Sequence, residues 1–508
     1  MKKSLFWHSD AVKKPYLCGR KIQEKQTMMK LIGRIAERQL LQQYVASDKA
    51  EFIAVYGRRR VGKTFLIREM FADHFAFEVS GTINGKKPEQ MFNFIQALRR
   101  FGYAGTEVPT TWNEAFDLLQ QLLEPKVRQQ TSLIFIDELP CFDTPKSGFV
   151  RAFDHFWNGW ASHYPHIKLI VCGSATSWMI DHVIDNHGGL HNRITHEMYL
   201  RPFTLSDAEQ YFKAYGFAWN RLSMLQAYMV FGGIPYYYSL LDNRYSLSQN
   251  VDRLFFQSGG EMQREYDRLL KSLFASPDAY TAIIKVLAEH KRGLSRDEIA
   301  QQCKLSSNGY LTKMLSNLVN CDFIRSFRVK DKKIKANAQC YQLTDLFTLF
   351  HHTFAKETTT DEHYWSNMLG TNRMNTWLGL AFERTCLLHI PQIKRALGID
   401  RIHTEYYSWR SKQSQPAAQI DLIIERADQI VNVCEMKYSE FPYVISKAED
   451  MRLRNRLGAF REETLTKGGL HLTFISTFGV KPNLYSDAVR NEVTLDDLFR
   501  MPLYLRPF

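Results

Sequence analysis

The stretch EFIAVYGRRRVGKTFLIREMF (51–71) sets the tightest limit on what this chain can fold into. FIAVY is a short apolar run of strand character, and FLIREMF continues with helical spacing. Between them, Gly57-Arg-Arg-Arg-Val-Gly62-Lys63-Thr64 fits the pattern G-x-x-x-x-G-K-[ST] in the strand–loop–helix setting that pattern requires. Its glycines let backbone N–H groups turn toward phosphate oxygens, and the helix N-terminus adds a positive field. Lys63 is placed to bridge a β- and a γ-phosphate, and the Thr64 hydroxyl to ligate Mg²⁺.

A hydrolytic site needs acids downstream, and SLIFIDEL (132–139) supplies a strand ending in two. Asp137 is expected to hold the Mg²⁺ shell, and Glu138 to act as the base that orients a water. IKLIVCGSATSWM (167–179) is another apolar strand ending in small polar residues. There Ser174 or Thr176 serves either as a γ-phosphate sensor or as a helix N-cap. Arg193, in HNRITHEMYLRPF, reads either as a sensor or trans-acting arginine or as a solvated loop residue. Ser206, with Glu209 three residues on, is expected to cap the helix after Arg201-Pro-Phe. In FGGIPYYYSLL (231–241), paired glycines permit a tight turn and Pro235 suits a first helical turn.

Together GRRRVGKT, LIFIDEL, CGSATSWM, LRPF and GGIPYYYSLL resemble the archaeal-type prokaryotic ATPase family, in the AAA+-related group that includes the STAND NTPases. The resemblance covers roughly residues 31–240. It implies a five-stranded parallel core, a helical lid and ATP as the nucleotide. Spacing alone does not separate ATP from GTP, but no guanine-reading Asn-Lys-x-Asp tetrad occurs.

Residues 279–345 carry a different rhythm. A helix ends near His290, LSRDEIAQQC is capped by Ser295 with Glu298, a longer helix follows, and two alternating runs flank a lysine-rich tip. This reads as a winged helix-turn-helix. From 291 to 335 there are eleven Lys/Arg against four Asp/Glu, over half of the chain's net +13. Duplex DNA is the expected partner, with Lys313, Lys330, Lys332, Lys333 and Lys335 on phosphates. The alternative is a packing module.

In the last third, Glu383 lies on an apolar helical stripe between Leu380 and Leu387, and an inward carboxylate needs a partner. QIDLIIERADQIVNVCEMKY (419–438) reads as a hairpin centred on residue 428, which sets Asp421 opposite Glu435 and puts Lys437 on Glu435's face. Like charges opposite each other destabilise a sheet, unless a cation lies between them. Helix glutamate, strand aspartate and Glu-x-Lys resemble the PD-(D/E)xK nuclease superfamily. That resemblance implies metal ligation (Mg²⁺, or Mn²⁺) by Glu383, Asp421 and Glu435. It implies that Lys437 activates water or steadies phosphate charge. An Ile precedes Asp421 where Pro is common, and some relatives keep this fold without cutting. The helix bearing Lys447, Arg452, Arg454 and Arg456 reads either as a phosphate track or as a solvated face.

The expected fold is therefore α/β: an AAA+-like P-loop sheet (31–204) with helical lid (205–275), a winged helix (276–345), and a restriction-endonuclease-like domain (346–508) behind a basic leader (1–30). Eight cysteines without a Cys-x-x-Cys pair suggest reduced thiols in a cytoplasm, and no apolar run is long enough for a bilayer. His187 and His191 have a metal-like spacing, but read as a polar loop. The expected activity is ATP hydrolysis coupled to DNA binding and metal-dependent cleavage. The alternative is an ATP-regulated scaffold with a silent nuclease fold. Arg193 acting in trans would require a homo-oligomer.

Overall fold

The computed structural model describes residues 30–174, 176–184, 193–274, 276–330, 339–356, 359–411 and 418–501. The leader, the His187–His191 pair and the tip lysines Lys332, Lys333 and Lys335 lie outside the described residues. The fold is α/β. Strands β1 (Glu51–Tyr56), β2 (Phe75–Ser80), β3 (Ser132–Asp137), β4 (Ile167–Gly173) and β5 (His196–Tyr199) form one parallel sheet in the order β2-β3-β4-β1-β5. β3 and β4 are buried along their whole length, as parallel strands covered by helices on both faces must be. One side is filled by an aromatic core in which Trp112, Phe116, Phe142, Phe149 and Phe153 pack together. Because β4 runs between β1 and β3, the chain ends that leave these three strands converge on one edge of the sheet.

The remaining strands form a second, mixed sheet. β6 (Leu294–Ser295), β7 (Ile324–Lys330), β8 (Gln339–Leu343), β9 (Thr404–Arg410), β10 (Gln419–Arg426), β11 (Ile430–Lys437), β12 (Gly469–Ser476) and β13 (Val489–Val493) lie in the order β13-β12-β11-β10-β9-β7-β8-β6. β6, β7 and β8 join the helices Pro277–Glu289, Arg296–Cys303 and Gly309–Asn320. β9 to β13 form the last third, and the seam is β7 beside β9, parallel, with Val329 against Ser408.

One expected cap is corrected. The Leu205–Ala214 helix is capped by Thr204, not Ser206, with Asp207 closing the box: the Thr204 hydroxyl accepts from Asp207 N–H at 3.2 Å, and Thr204 N–H donates back at 3.0 Å. The apolar face begins at fully buried Leu205, so the helix starts two residues earlier than the Ser206–Glu209 pair suggests. Glu209 instead pairs with Lys213 and Arg221. The cap at Ser295 with Glu298 is present as expected.

The same helix start is held from a distance. His389 is buried, its Nδ1 lies 2.8 Å from Thr385 O, and its Nε2 accepts from Leu205 N–H at 3.0 Å. This fixes a neutral imidazole protonated at Nδ1. Burial pushes its pKa down to about 4. A depressed histidine contributes nothing above its unfolded pKa near 6.5. Below that value the unfolded chain binds the proton first, so stability is lost as pH falls toward 4. The loss from His389 should approach about 3 kcal/mol at the acid end. Melting temperature measured from pH 7 to 4.5 should therefore fall more steeply for the wild-type protein than for His389→Gln; parallel curves would refute the assignment.

Candidate nucleotide site and carboxylate site

The phosphate-binding loop follows β1 because strand, glycine and helix leave the chain little choice. Gly57 has φ 142°, and a Cβ there would meet Leu200 O at 2.5 Å, so only glycine permits this approach. Gly62 (φ 92°) caps the Lys63–Phe71 helix. Lys63 is buried at the helix start. Its Nζ donates to Gly57 O (2.9 Å), Arg58 O (3.0 Å) and Ser174 Oγ (3.2 Å), and burial lowers its pKa. The Thr64 hydroxyl donates to both Asp137 oxygens at 3.0 Å. Burial, and then Glu138, push the Asp137 acid up. A hydroxyl meeting a carboxylate here is a donor set suited to Mg²⁺, which takes few protein oxygens and keeps its waters.

Glu138 adopts a left-handed backbone (φ 47°), a conformation that costs energy outside glycine and clusters at functional sites. Its carboxylate accepts from Ser174 Oγ at 2.6 Å and Ser174 N–H at 3.2 Å. Ser174 thus touches both Lys63 and Glu138, whereas Thr176 starts the short Thr176–Met179 helix. Arg193 is exposed in the turn before β5.

Three arginines that the motif does not specify hold the loop. Arg34 Nη2 donates to Val61 O at 3.2 Å and lies over the Phe203 ring. Arg60 pairs with buried Glu265 at 2.5 Å and stacks on Tyr236. Arg58, 1% exposed, makes a two-pronged pair with Asp345, with Nη2 to Oδ2 at 3.1 Å, and lies over Phe323. The run of arginines in GRRR was the only local sign of Arg58 and Arg60, and the partners of these two lie far along the chain.

In the second sheet, β10 and β11 pair in the register Leu422–Cys434 through Glu425–Val431. The paired residues end at Leu422–Cys434, one step short of Asp421 and Glu435. A bulge interrupts the β10–β9 ladder between Ile420 and Ile423, where Asp421 and Leu422 lie, a feature that re-aims side chains. Ser408 Oγ donates to Asp421 O at 2.7 Å, and Gln419 donates to the Asp421 side chain. Glu383, on the Asn372–Leu388 helix, pairs with Arg384. Its acid is pushed up by burial, with Asp421 adding to the rise and Arg384 opposing it. Glu435 pairs with Lys437 at 2.9 Å and with Arg456. Lys437 also reaches Glu449 at 3.4 Å; burial alone would lower its pKa, and the two glutamates raise it instead.

Among the described residues no three acidic, His or Cys side chains stand close enough to hold an ion in their present rotamers. The mutual repulsion of Glu383 and Asp421 is nevertheless of the kind a divalent cation relieves. Arg325, from β7, adds a cation beside them. Its Nε donates to Gln342 at 2.7 Å, and its pKa is lowered to about 10 by burial and by Arg384.

Fold and loop together define a P-loop nucleotide site. Residues 31–241 match the family model described as an ATPase domain predominantly from Archaea. The chain is 25% identical over 363 residues to Uncharacterized protein MJECL04 of Methanocaldococcus jannaschii, covering 70% of this chain and 75% of that protein. Among solved structures it is similar to the Walker-type ATPase PABY2304 of Pyrococcus abyssi (TM-score 0.44, 18% identity, 63% of this chain and 96% of that one). It is also similar to the ORC2 protein of Aeropyrum pernix (TM-score 0.36, 14% identity, 66% and 93%). Among the described residues no helix is long and apolar enough to cross a membrane.

Lys63→Ala removes the ammonium and leaves the loop backbone intact. ATP turnover by the purified protein should fall by about 100-fold or more, the scale expected when a group that stabilises transition-state charge is lost. Undiminished phosphate release would refute the site.

Proposed function

We propose that this protein is an ATP-hydrolysing switch whose carboxyl-terminal part binds DNA and cuts it with a divalent metal. The carrying observation is the pair of adjacent hydrogen-bonded sets, Lys63–Ser174–Glu138 and Thr64–Asp137, at one edge of the parallel sheet. On this reading Lys63 leaves the loop carbonyls to bridge the β- and γ-phosphates, and Thr64 and Asp137 hold Mg²⁺. When bound there, the ion would supply charge neutralisation for the phosphates. Glu138 orients the attacking water once its carboxylate parts from Ser174, and Ser174 is left facing the γ-phosphate. Arg193 is exposed, as an arginine serving a neighbouring copy would be.

Support for DNA is electrostatic. The chain carries a net +13, and exposed Arg452 and Arg454 lie on the Lys447–Thr464 helix, whose Arg456 reaches Glu435. A backbone lying along that helix would lead phosphates to the carboxylate site. The helix Gly309–Asn320 is less open than expected of a groove-reading helix: Lys313 pairs with Asp181 of the ATPase part at 3.1 Å. At the carboxylate site Glu383, Asp421 and Glu435 would hold the metal, which lowers the pKa of a bound water, and Lys437 would steady the phosphate. The arginine partners of Glu383 and Glu435 favour the second reading, a DNA- or protein-binding scaffold whose nuclease-like site is silent.

Supercoiled, linear and single-stranded DNA incubated with ATP and Mg²⁺ or Mn²⁺ separate the two. Cleavage should appear in the wild-type protein and be lost in Asp421→Ala. Silence of both proteins on every DNA and RNA tried would establish the scaffold.

A further inference from the structure

We propose that nucleotide binding is reported to the carboxylate site through a buried hydrogen-bonded run from Arg58, by way of residues 343–345, to Arg384 and Glu383; this regulation rests on the function proposed above. The run begins at a contact that phosphate must disturb. Lys63 Nζ is bonded to the carbonyls of Gly57 and Arg58, and a bound nucleotide draws that ammonium to its own oxygens. Arg58 therefore loses its carbonyl's partner when the site fills, while its guanidinium remains fixed on Asp345.

Asp345 is a poor place to absorb such a change locally. It is buried and caps the Leu346–Phe350 helix, accepting from Thr348 N–H at 2.9 Å. The N–H groups of Thr344 and Asp345 both donate to Phe323 O, at 3.0 and 3.1 Å. Two residues back, Leu343 O accepts from Arg384 Nε at 3.0 Å. Arg384 is 2% exposed and also bonds Lys291 O and the Glu383 carboxylate. The joints from Arg58 to Asp345 and from Leu343 O to Arg384 are hydrogen bonds in close-packed interior, joined by the chain 343–345, and the last, Arg384 to Glu383, is part-buried. Such an interior shifts between discrete arrangements; it does not yield smoothly. Lys63 on loop carbonyls and Lys63 on phosphate are the two arrangements at one end. The Arg384–Glu383 pair held or released by Leu343 marks them at the other. A second physical link exists, from Gln226 on the Arg221–Phe231 helix to Tyr438, one residue past Lys437, at 2.8 Å. The experiment must tell the two apart.

Amide hydrogen exchange of the full chain with Mg²⁺ and a non-hydrolysable ATP analogue reads both ends without DNA or catalysis. In the wild-type protein the amides of 57–64 should slow, and those of 381–387 should change by about fivefold or more, the lower end of ordinary coupling between sites. In Asp345→Asn, which keeps a capping oxygen, and in Arg384→Gln, the loop should still slow. The change at 381–387 should shrink to about twofold or less. Unchanged exchange in the buried strands β3 and β4 certifies that each variant is folded. An unresponsive 381–387 in the wild-type protein overturns the proposal, as does a full response in both variants, which would assign the coupling to the Gln226–Tyr438 link. A loop that fails to slow in the wild-type protein overturns the nucleotide site and this inference together. Intact coupling without DNA cleavage defeats only the nuclease reading.

Discussion

A charge pair without access to water ties the nucleotide loop to the start of the Leu346–Phe350 helix. Arg58 and Asp345 are separated by 287 residues and are both buried. Desolvating two ions costs as much as their attraction returns, so such a pair adds little net stability. Breaking it is another matter, because the charge left behind has nowhere to go, at about 3–5 kcal/mol. The pair therefore acts as a constraint on arrangement. It places residues 343–345 against the loop, and with them the strand β8, the helix behind it and the Arg384 side chain. Arg60 on Glu265 adds a second anchor from the same three-arginine run.

That constraint explains why β6 to β8 are not a separate appendage. β7 is bonded to β8 on one side and to β9 on the other, so the three-stranded unit and the carboxyl-terminal sheet are continuous. The two ladders use successive stretches of β7, residues 324–328 against β8 and Val329 with Lys330 against β9. The Gly309–Asn320 helix is likewise engaged, through the Asp181–Lys313 pair and through Tyr199 OH, which donates to Asn320 O at 3.0 Å and to Asp322 at 2.5 Å. The basic excess read from 291–335 stands, and its helix keeps Tyr310 and Lys313 exposed while meeting the ATPase part at Asp181 and Tyr199. The same continuity carries Arg325 from β7 to the neighbourhood of Glu383 and Asp421, so the carboxylate site is built by both parts.

What was legible in the sequence was local. The loop glycines and Lys63 are specified by a contiguous motif whose strand and helix flank it directly. The hairpin register from Glu425–Val431 to Leu422–Cys434 followed from a short turn, since a symmetric turn fixes the pairs next to it. The parallel sheet followed from the family resemblance and the fully apolar strands. The misplaced cap shows the limit of such reasoning. Thr204-x-x-Asp207 and Ser206-x-x-Glu209 overlap, and only the burial of Leu205 decides between them. Arg58 with Asp345, Arg384 with Leu343 O, and β7 with β9 could not be read. Nothing in either member of these pairs encodes the other, and an arginine in an apolar helix shows only that some partner exists.

The carboxylate site is where charge bookkeeping bears most on chemistry. Glu435 faces Lys437 and Arg456, Glu383 faces Arg384, and Arg325 stands near Asp421, so acids that would otherwise repel are already compensated by the chain's own cations. A divalent ion entering there replaces existing partners, since a carboxylate cannot give the same lone pairs to both. Arg456 is the cation best able to leave, because it sits part-exposed on the Lys447–Thr464 helix, whereas Arg384 is sealed by two backbone carbonyls. If that helix is the phosphate track, the arrival of a DNA backbone offers Arg456 a second anion and frees Glu435 at the moment substrate is present. On the function proposed above, metal affinity would be low in the resting protein and would rise with DNA, and the guarding arginine and the substrate-binding arginine would be one residue.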